Sequence, residues 1–457
     1  MNMLFKYIKV PLGCAAILLL MIAANAYGVI DGINVVSGTP INLTAKVDHI
    51  STADGGSVLF WGYANGAGRA QYPGPTFIVN QGATVVINLT NSLPVDAGNV
   101  SIVFPGQQVA ATGGVSGLLT QEAQQADDPA TLDVDESTVT YTFTAIHPGT
   151  YLYHSGTWPE LQVEMGLTGA IIVRPAMGDN YAYNHPATMF DREFLFLLSE
   201  MDPRIHQMVE FQGVAALANT DYLSDYFPNY WFINGRNAPD TMVDAGVAWL
   251  PTQPYNCMPM MHPGEKLLMR VIDAGRDMHP YHQHGNHARV VAKDGRLLES
   301  ALGTGPDISY EVFTIQAVPG ETVDAIFEWT GKDLGWDIYG TGSEYEHTCN
   351  GISVTAASPA SPGYDPVTKE YCPDHGKPLP VILPNDLDLT FGGFYSGSPF
   401  MGVLGSLPPG EGGLNPNAGF AYMWHSHTEK EMTNYDIFPG GMMTMIIIEP
   451  PGTMIMH

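Results

Sequence analysis

Met278-His279-Pro280-Tyr281-His282-Gln283-His284-Gly285-Asn286-His287 places four histidines within nine residues, between two apolar segments, 266–272 and 288–292, that read as strands. A strand turns successive side chains to opposite faces, so His282 and His284 point the same way. Two such imidazoles can grip one metal ion or two neighbouring ones. Imidazole serves copper, zinc, iron and nickel alike, so the spacing calls for a metal without naming it. A second His-x-His, His425-Ser426-His427, follows the apolar Tyr422-Met423-Trp424. One such pair is weak evidence; two, each beside an apolar strand, are much stronger. Methionines gather at Met258, Met260 and Met261 and again at Met442, Met443 and Met445. Thioethers are soft ligands for Cu(I), and they also fill irregular gaps in a core.

Outward from this stretch, the composition narrows the classes. The chain has 457 residues and a net charge of −28, which argues against nucleic acid and anionic membrane as partners and is compatible with cationic substrates such as metal ions. Lys6 and Lys9, the apolar run from Cys14 to Ala24, and Ala24-Asn25-Ala26 read as a secretory signal peptide over residues 1–26. The expected product is exported, to the periplasm or beyond, with no further stretch long and apolar enough to span a bilayer. Cys257, Cys349 and Cys372 remain after cleavage. In an oxidising compartment Cys349 and Cys372 are the natural disulfide, leaving Cys257 a buried thiol. His347 and His375 flank that pair, so a small metal clip is the alternative.

Abundant Gly and Pro, sparse charge and alternating Val, Ile, Thr and Tyr predict an all-β chain of short strands joined by turns. Residues 27–175 read as a first β unit, with Gln107–Gln125 as a long loop holding at most a short helix. Residues 176–190 read as a linker. Residues 191–450 form a second unit, broken at about 340–418 by a Gly-, Pro-, Ser- and Asn-rich stretch too long for a structureless connection and therefore an ordered insertion.

In this order the pieces resemble the multicopper oxidases, built from cupredoxin-like Greek-key β-sandwich domains. The resemblance rests on Pro73-Gly-Pro-Thr-Phe-Ile-Val-Asn-Gln-Gly82, Gly149-Thr-Tyr-Leu-Tyr-His-Ser155, Met165-Gly-Leu-Thr-Gly-Ala-Ile-Ile172, Ile233-Asn-Gly-Arg236, His279-Pro-Tyr-His-Gln-His-Gly285 and the run from His425 to Met442. It implies two such domains, with copper as cofactor. The family holds a copper cluster with four His-x-His pairs. Here the first pair is replaced by Val103 and Pro105, and the second keeps His154 but has Gly156 as its partner. His282 with His284, and His425 with His427, are complete.

The family's blue, electron-accepting copper needs a cysteine where this chain has Ser426 and a histidine where it has Glu431. A hydroxyl does not replace a soft thiolate on copper, so the blue site is expected to be absent. His279 remains as a candidate ligand, equally a histidine that serves no metal. Met442 is a candidate weak ligand, and Glu431 and His287 are candidates for a second, harder site. The implied activity is that of a copper-dependent oxidoreductase taking electrons from Mn(II), Fe(II) or phenol-like donors, with oxygen as acceptor. The alternative is a non-catalytic copper-binding or electron-relay protein on the same scaffold. The resemblance also implies a homo-oligomer, a trimer, because two-domain members often complete the centre between subunits.

Overall fold

The structure is a computed structural model describing residues 30–125, 134–332, 334–338, 363–378, 397–399, 419–450 and 453–455. The signal-peptide segment and Cys349 lie outside these residues, as does most of the expected insertion. Cys372 is disulfide-bonded, and Cys257 is a free thiol at zero exposure.

Alternation in the sequence becomes two-faced strands. Thr84–Asn91 and Thr138–Thr144 pair antiparallel, with Val85, Ile87 and Leu89 facing Val139, Tyr141 and Phe143 in one apolar core. They belong to a six-stranded sheet with Pro40–Ser51, Ser57–Asn65, Ala70–Gln71 and Ala110–Gly113. A four-stranded sheet of Ile33–Asn34, Phe77–Asn80, Thr168–Arg174 and Gly149–His154 supplies the other side. The stretch expected as a loop with a short helix instead makes three short strands, Ala110–Gly113, Val115–Ser116 and Gln121–Glu122.

The second sandwich repeats the plan. One sheet orders Tyr230–Ile233, Arg192–Met201, Lys266–Asp273, Thr322–Glu328, Ala288–Lys293 and Arg296–Leu297, with Tyr310–Val312 also on Ala288–Lys293. The other orders Met260–Met261, Met443–Ile448, Phe420–Ser426, His279–Gln283 and Thr314–Ala317, with Gly397–Pro399 on Phe420–Ser426. The core between them holds Phe196, Tyr281, Phe327, Tyr422, Trp424 and Ile446. The fold is thus all-β, two cupredoxin-like sandwiches.

Thr168–Arg174 and Arg192–Met201 are buried along their whole length, because a third apolar cluster joins the sandwiches. Ile78, Leu152 and Ile172 of the first meet Leu195, Leu197 and Ile272 of the second. A polar knot lies beside it. Arg270, fully buried, donates to Glu193 at 2.9 Å and to Thr150 at 3.0 Å, and Tyr183 donates to Asp324 at 2.6 Å. Guanidinium and carboxylates are tolerated there because each charge has a partner.

The longest helix among the described residues, Pro203–Gln212, was not expected from the strand pattern. Its signal was nonetheless local: Asp202 accepts from the Arg204 N–H at 3.0 Å as N-cap, and Pro203 takes the first helical position.

Candidate metal centre

The strand period sorts the histidines onto two faces. His279–Gln283 pairs antiparallel with Phe420–Ser426, placing His282 opposite His425 and Tyr281 opposite Ser426. Tyr281 and Trp424 face the core, so His282 and His425, one residue away on each strand, face outward. His284 and His427 follow by the same period. His279, three residues before His282, falls on the inner face with Tyr281.

On the outer face four imidazoles converge. Ring centroids of His282 lie 4.7 Å from His284, 5.5 Å from His425 and 4.9 Å from His427. His284 and His425 bring their Nε2 atoms to 3.1 Å. Donor atoms of His282, His284 and His425 all lie within 4.8 Å of one another. His427 is exposed at the rim, 5.7 Å from His425 between ring centroids.

The rings are held by their far nitrogens. His425 Nδ1 donates to the Ser426 carbonyl at 2.6 Å, so its Nε2 presents a lone pair. His282 Nδ1 lies 2.9 Å from Thr314 Oγ1, and Trp424 Nε1 donates to the His284 carbonyl at 3.0 Å. Burial, reinforced by the neighbouring imidazoles, pushes His282 down to about 3; burial and those neighbours also push His425 down to about 4. At neutral pH these rings are uncharged, the state in which imidazole binds a metal. The donor set therefore fits an imidazole-bound transition metal.

His154 closes the strand Gly149–His154 and repeats the local geometry of His425, its Nδ1 donating to the Ser155 carbonyl at 2.8 Å. Burial lowers its pKa. Among the described residues it shares neither ring contact nor ligand group with the other four. Val103 lies directly opposite it, exchanging backbone hydrogen bonds at 2.9 and 3.2 Å. Val103 also occupies the space over Gly156: a Cβ there would stand 2.6 Å from Val103 Cγ1. Val103 and Gly156 are thus mutually packed beside His154.

The inner face holds a different assembly. His279, fully buried, donates from Nε2 to Glu200 and from Nδ1 to Glu431, each at 2.9 Å. Burial lowers its pKa, but these two hydrogen bonds and charges outweigh it and hold the ring well above its ordinary range, as an imidazolium. Glu200 also accepts from the backbone of Arg276 at 2.6 Å and Asp277 at 3.1 Å. Burial raises Glu200, and His279 with these donors brings it below its ordinary value.

Neither His279 nor Glu431 joins the outer histidines: both ring nitrogens of His279 are taken by carboxylates. Ser426 Oγ accepts from the Thr428 N–H at 3.1 Å. Met442 is fully buried in the apolar core and donates its N–H to the Glu431 carbonyl at 2.7 Å. His287 is exposed, its ring edge-on to Phe313 at 5.3 Å, away from both groups. Cys257 Sγ donates to the Ile233 carbonyl at 3.0 Å, and burial pushes its thiol up to about 12. Glu200 escaped sequence reasoning: it lies 79 residues from His279 and carries no motif.

Residues 63–178 match the family model described as multicopper oxidase. Over this stretch the chain is similar to the multicopper oxidase family. Its similarity to L-ascorbate oxidase of Cucurbita pepo var. melopepo is 31% identity over 177 residues, covering 39% of this chain and 28% of that protein. Laccase-3 of Oryza sativa subsp. japonica is 27% identical over 309 residues, covering 64% and 42%. The chain thus spans less than half the length of these curated relatives. Among solved structures, the blue copper oxidase from Nitrosomonas europaea superposes with a TM-score of 0.52 at 18% identity, covering 89% of this chain and 85% of that one, a likeness of fold. Members of the multicopper oxidase family bind copper, and among the described residues no helix is long and apolar enough to cross a membrane.

Proposed function

We propose that this multicopper oxidase relative is an exported, copper-dependent oxidoreductase whose copper is held by histidines alone, with no blue copper site. The observation that carries this reading is the convergence of the imidazoles of His282, His284 and His425, with His427 at the open rim. Copper held there would exchange single electrons with donors and oxygen. The chain's own residues do the rest. Ser426 and Thr314 fix which nitrogens of His425 and His282 face inward to the centre, and the buried side of the rings limits water to the rim.

The absence of a blue site is supported by chemistry at the inner face. Ser426 offers a hydroxyl, His279 has both nitrogens engaged, and Cys257 is a protonated thiol hydrogen-bonded elsewhere. With no thiolate relay, donors have to reach the histidine centre itself, where exposed His427 marks the approach. Mn(II), Fe(II) and phenol-like compounds are the donor classes in this reading, and the net charge of −28 favours cations. His154 stands apart from the other four; a homotrimer in which a neighbouring copy supplies it would add a fifth imidazole. On this reading the first sandwich spans 27–175 and the second 191–450.

The test is copper content together with oxygen uptake. An oxidase consumes oxygen when a donor is added to the copper-loaded protein. Copper bound with no donor-dependent oxygen uptake would instead favour an electron-relay or copper-binding role. No copper bound at all would remove both.

A further inference from the structure

The outer face of the histidine-bearing sheet continues past the imidazoles as a row of methionines. Met443–Ile448 pairs antiparallel with Phe420–Ser426, placing Met443 opposite His425 and Met445 opposite Met423. Met260–Met261 runs parallel beside it, with Met260 opposite Ile447. Tyr422, Trp424, Ile446, Ile448 and Met261 occupy the core face, so Met423, Met443, Met445 and Met260 share the face that carries His282 and His425. Met443 is buried, whereas its three companions are not fully packed away. Met423, Met445 and Met260 are only half-buried, and none of the four belongs to an apolar cluster among the described residues.

Side chains directly opposite across a strand pair start about 5 Å apart at Cβ, and diagonal ones about 7–8 Å. Met423 with Met445 is a direct pair, and Met443 is diagonal to Met423. The flexible, unbranched methionine side chain lets sulfurs from such positions meet on one ion. Thioethers are soft, uncharged donors that select Cu(I) over Cu(II) and over hard divalent cations. Met443 is also the direct neighbour of His425, so the row ends at the histidine centre rather than at a random point of the surface.

We propose that Met423, Met443 and Met445, with Met260 at the edge, form a Cu(I)-binding site on the outer face of the sheet that passes cuprous ion to His425 and the histidine centre. No electron moves in this step: Cu–S bonds break, Cu–N bonds form, and the ion stays cuprous. The transfer rests on the histidine centre being a copper site; the thioether site does not.

The experiment is anaerobic titration of the full protein with Cu(I) against a chromophoric Cu(I) chelator, with X-ray absorption of the product. The expected result is sulfur in the first shell of one Cu(I). The volume-conserving variant M423L/M443L/M445L should lose that sulfur scattering, with Cu(I) affinity falling on the order of 10–100-fold, at least what loss of an outer partner costs a metal site. If it fails to fold, M423L alone should lower the sulfur count, because Met423 is the central thioether.

Cu(II) added directly to the leucine variant should still give the nitrogen-ligated paramagnetic signal. The variant H282A/H284A should keep Cu(I)–sulfur scattering while losing that Cu(II) signal. A wild-type first shell of nitrogen alone, or unchanged Cu(I) affinity in the leucine variants, overturns the proposal. Loss of the Cu(II) signal from the wild type itself would count against the histidine centre instead, leaving the thioether site to stand or fall on its own scattering.

Discussion

His279 and Glu431 are bound to each other at 2.9 Å on the inner face of the strand whose outer face presents His282 and His284. The inner face thus carries an imidazolium between two carboxylates.

That arrangement has a pH signature. His279, raised in the folded state above its ordinary 6.5, contributes stability that is complete below about 6.5 and is lost as pH rises through its folded value. Glu200, depressed below 4.5, contributes stability present above about 4.5 and lost as pH falls through its folded value. His279→Ala leaves two buried carboxylates without their cation and should cost roughly 3–5 kcal/mol. Its deficit in melting temperature relative to the wild type should be largest between these limits and shrink on the alkaline side. A deficit independent of pH would contradict the ion-pair account.

Much of this was legible in the chain. The alternation of Thr84–Asn91 and Thr138–Thr144 is a two-sided strand written in sequence, and it folds as such. The His-x-His spacing puts its rings together because the strand period is two. The same rule separates His279 from His282, since an odd offset of three changes face; its partner Glu200 comes from a strand joined only by tertiary packing, which no local pattern encodes. The helix after Asp202-Pro203 was readable from its cap, but ten residues of modest amphipathicity among strands did not announce it. The filling of the space over Gly156 by Val103 depends on a cross-strand contact and was visible only in three dimensions.

Gly156→His tests that filling. Its Cβ meets Val103 Cγ1, so the single variant should be overpacked by about 1–3 kcal/mol. Adding Val103→Ala should recover most of the loss in chemical denaturation. Additive destabilisation in the double variant would show that Val103 is not the obstacle.

Ser426→Cys with Glu431→His places a thiol and a second imidazole on the face that carries His279, the His₂Cys set of blue copper. We expect at least partial blue absorption after copper addition to that double variant, and none in the wild type at any copper loading. An intense blue band from the unmodified protein would contradict the assignment of Ser426, and would implicate Cys257 as the only free thiol among the described residues.

The central claim is that copper sits on the outer histidines. Elemental analysis with electron paramagnetic resonance of the pure protein, wild type beside H282A/H284A, tests it most directly. The account predicts roughly one to two copper ions per wild-type chain with nitrogen ligation, and loss of most Cu(II) from the double variant because two of three converging donors are gone. Equal nitrogen-ligated copper in the two proteins would contradict it.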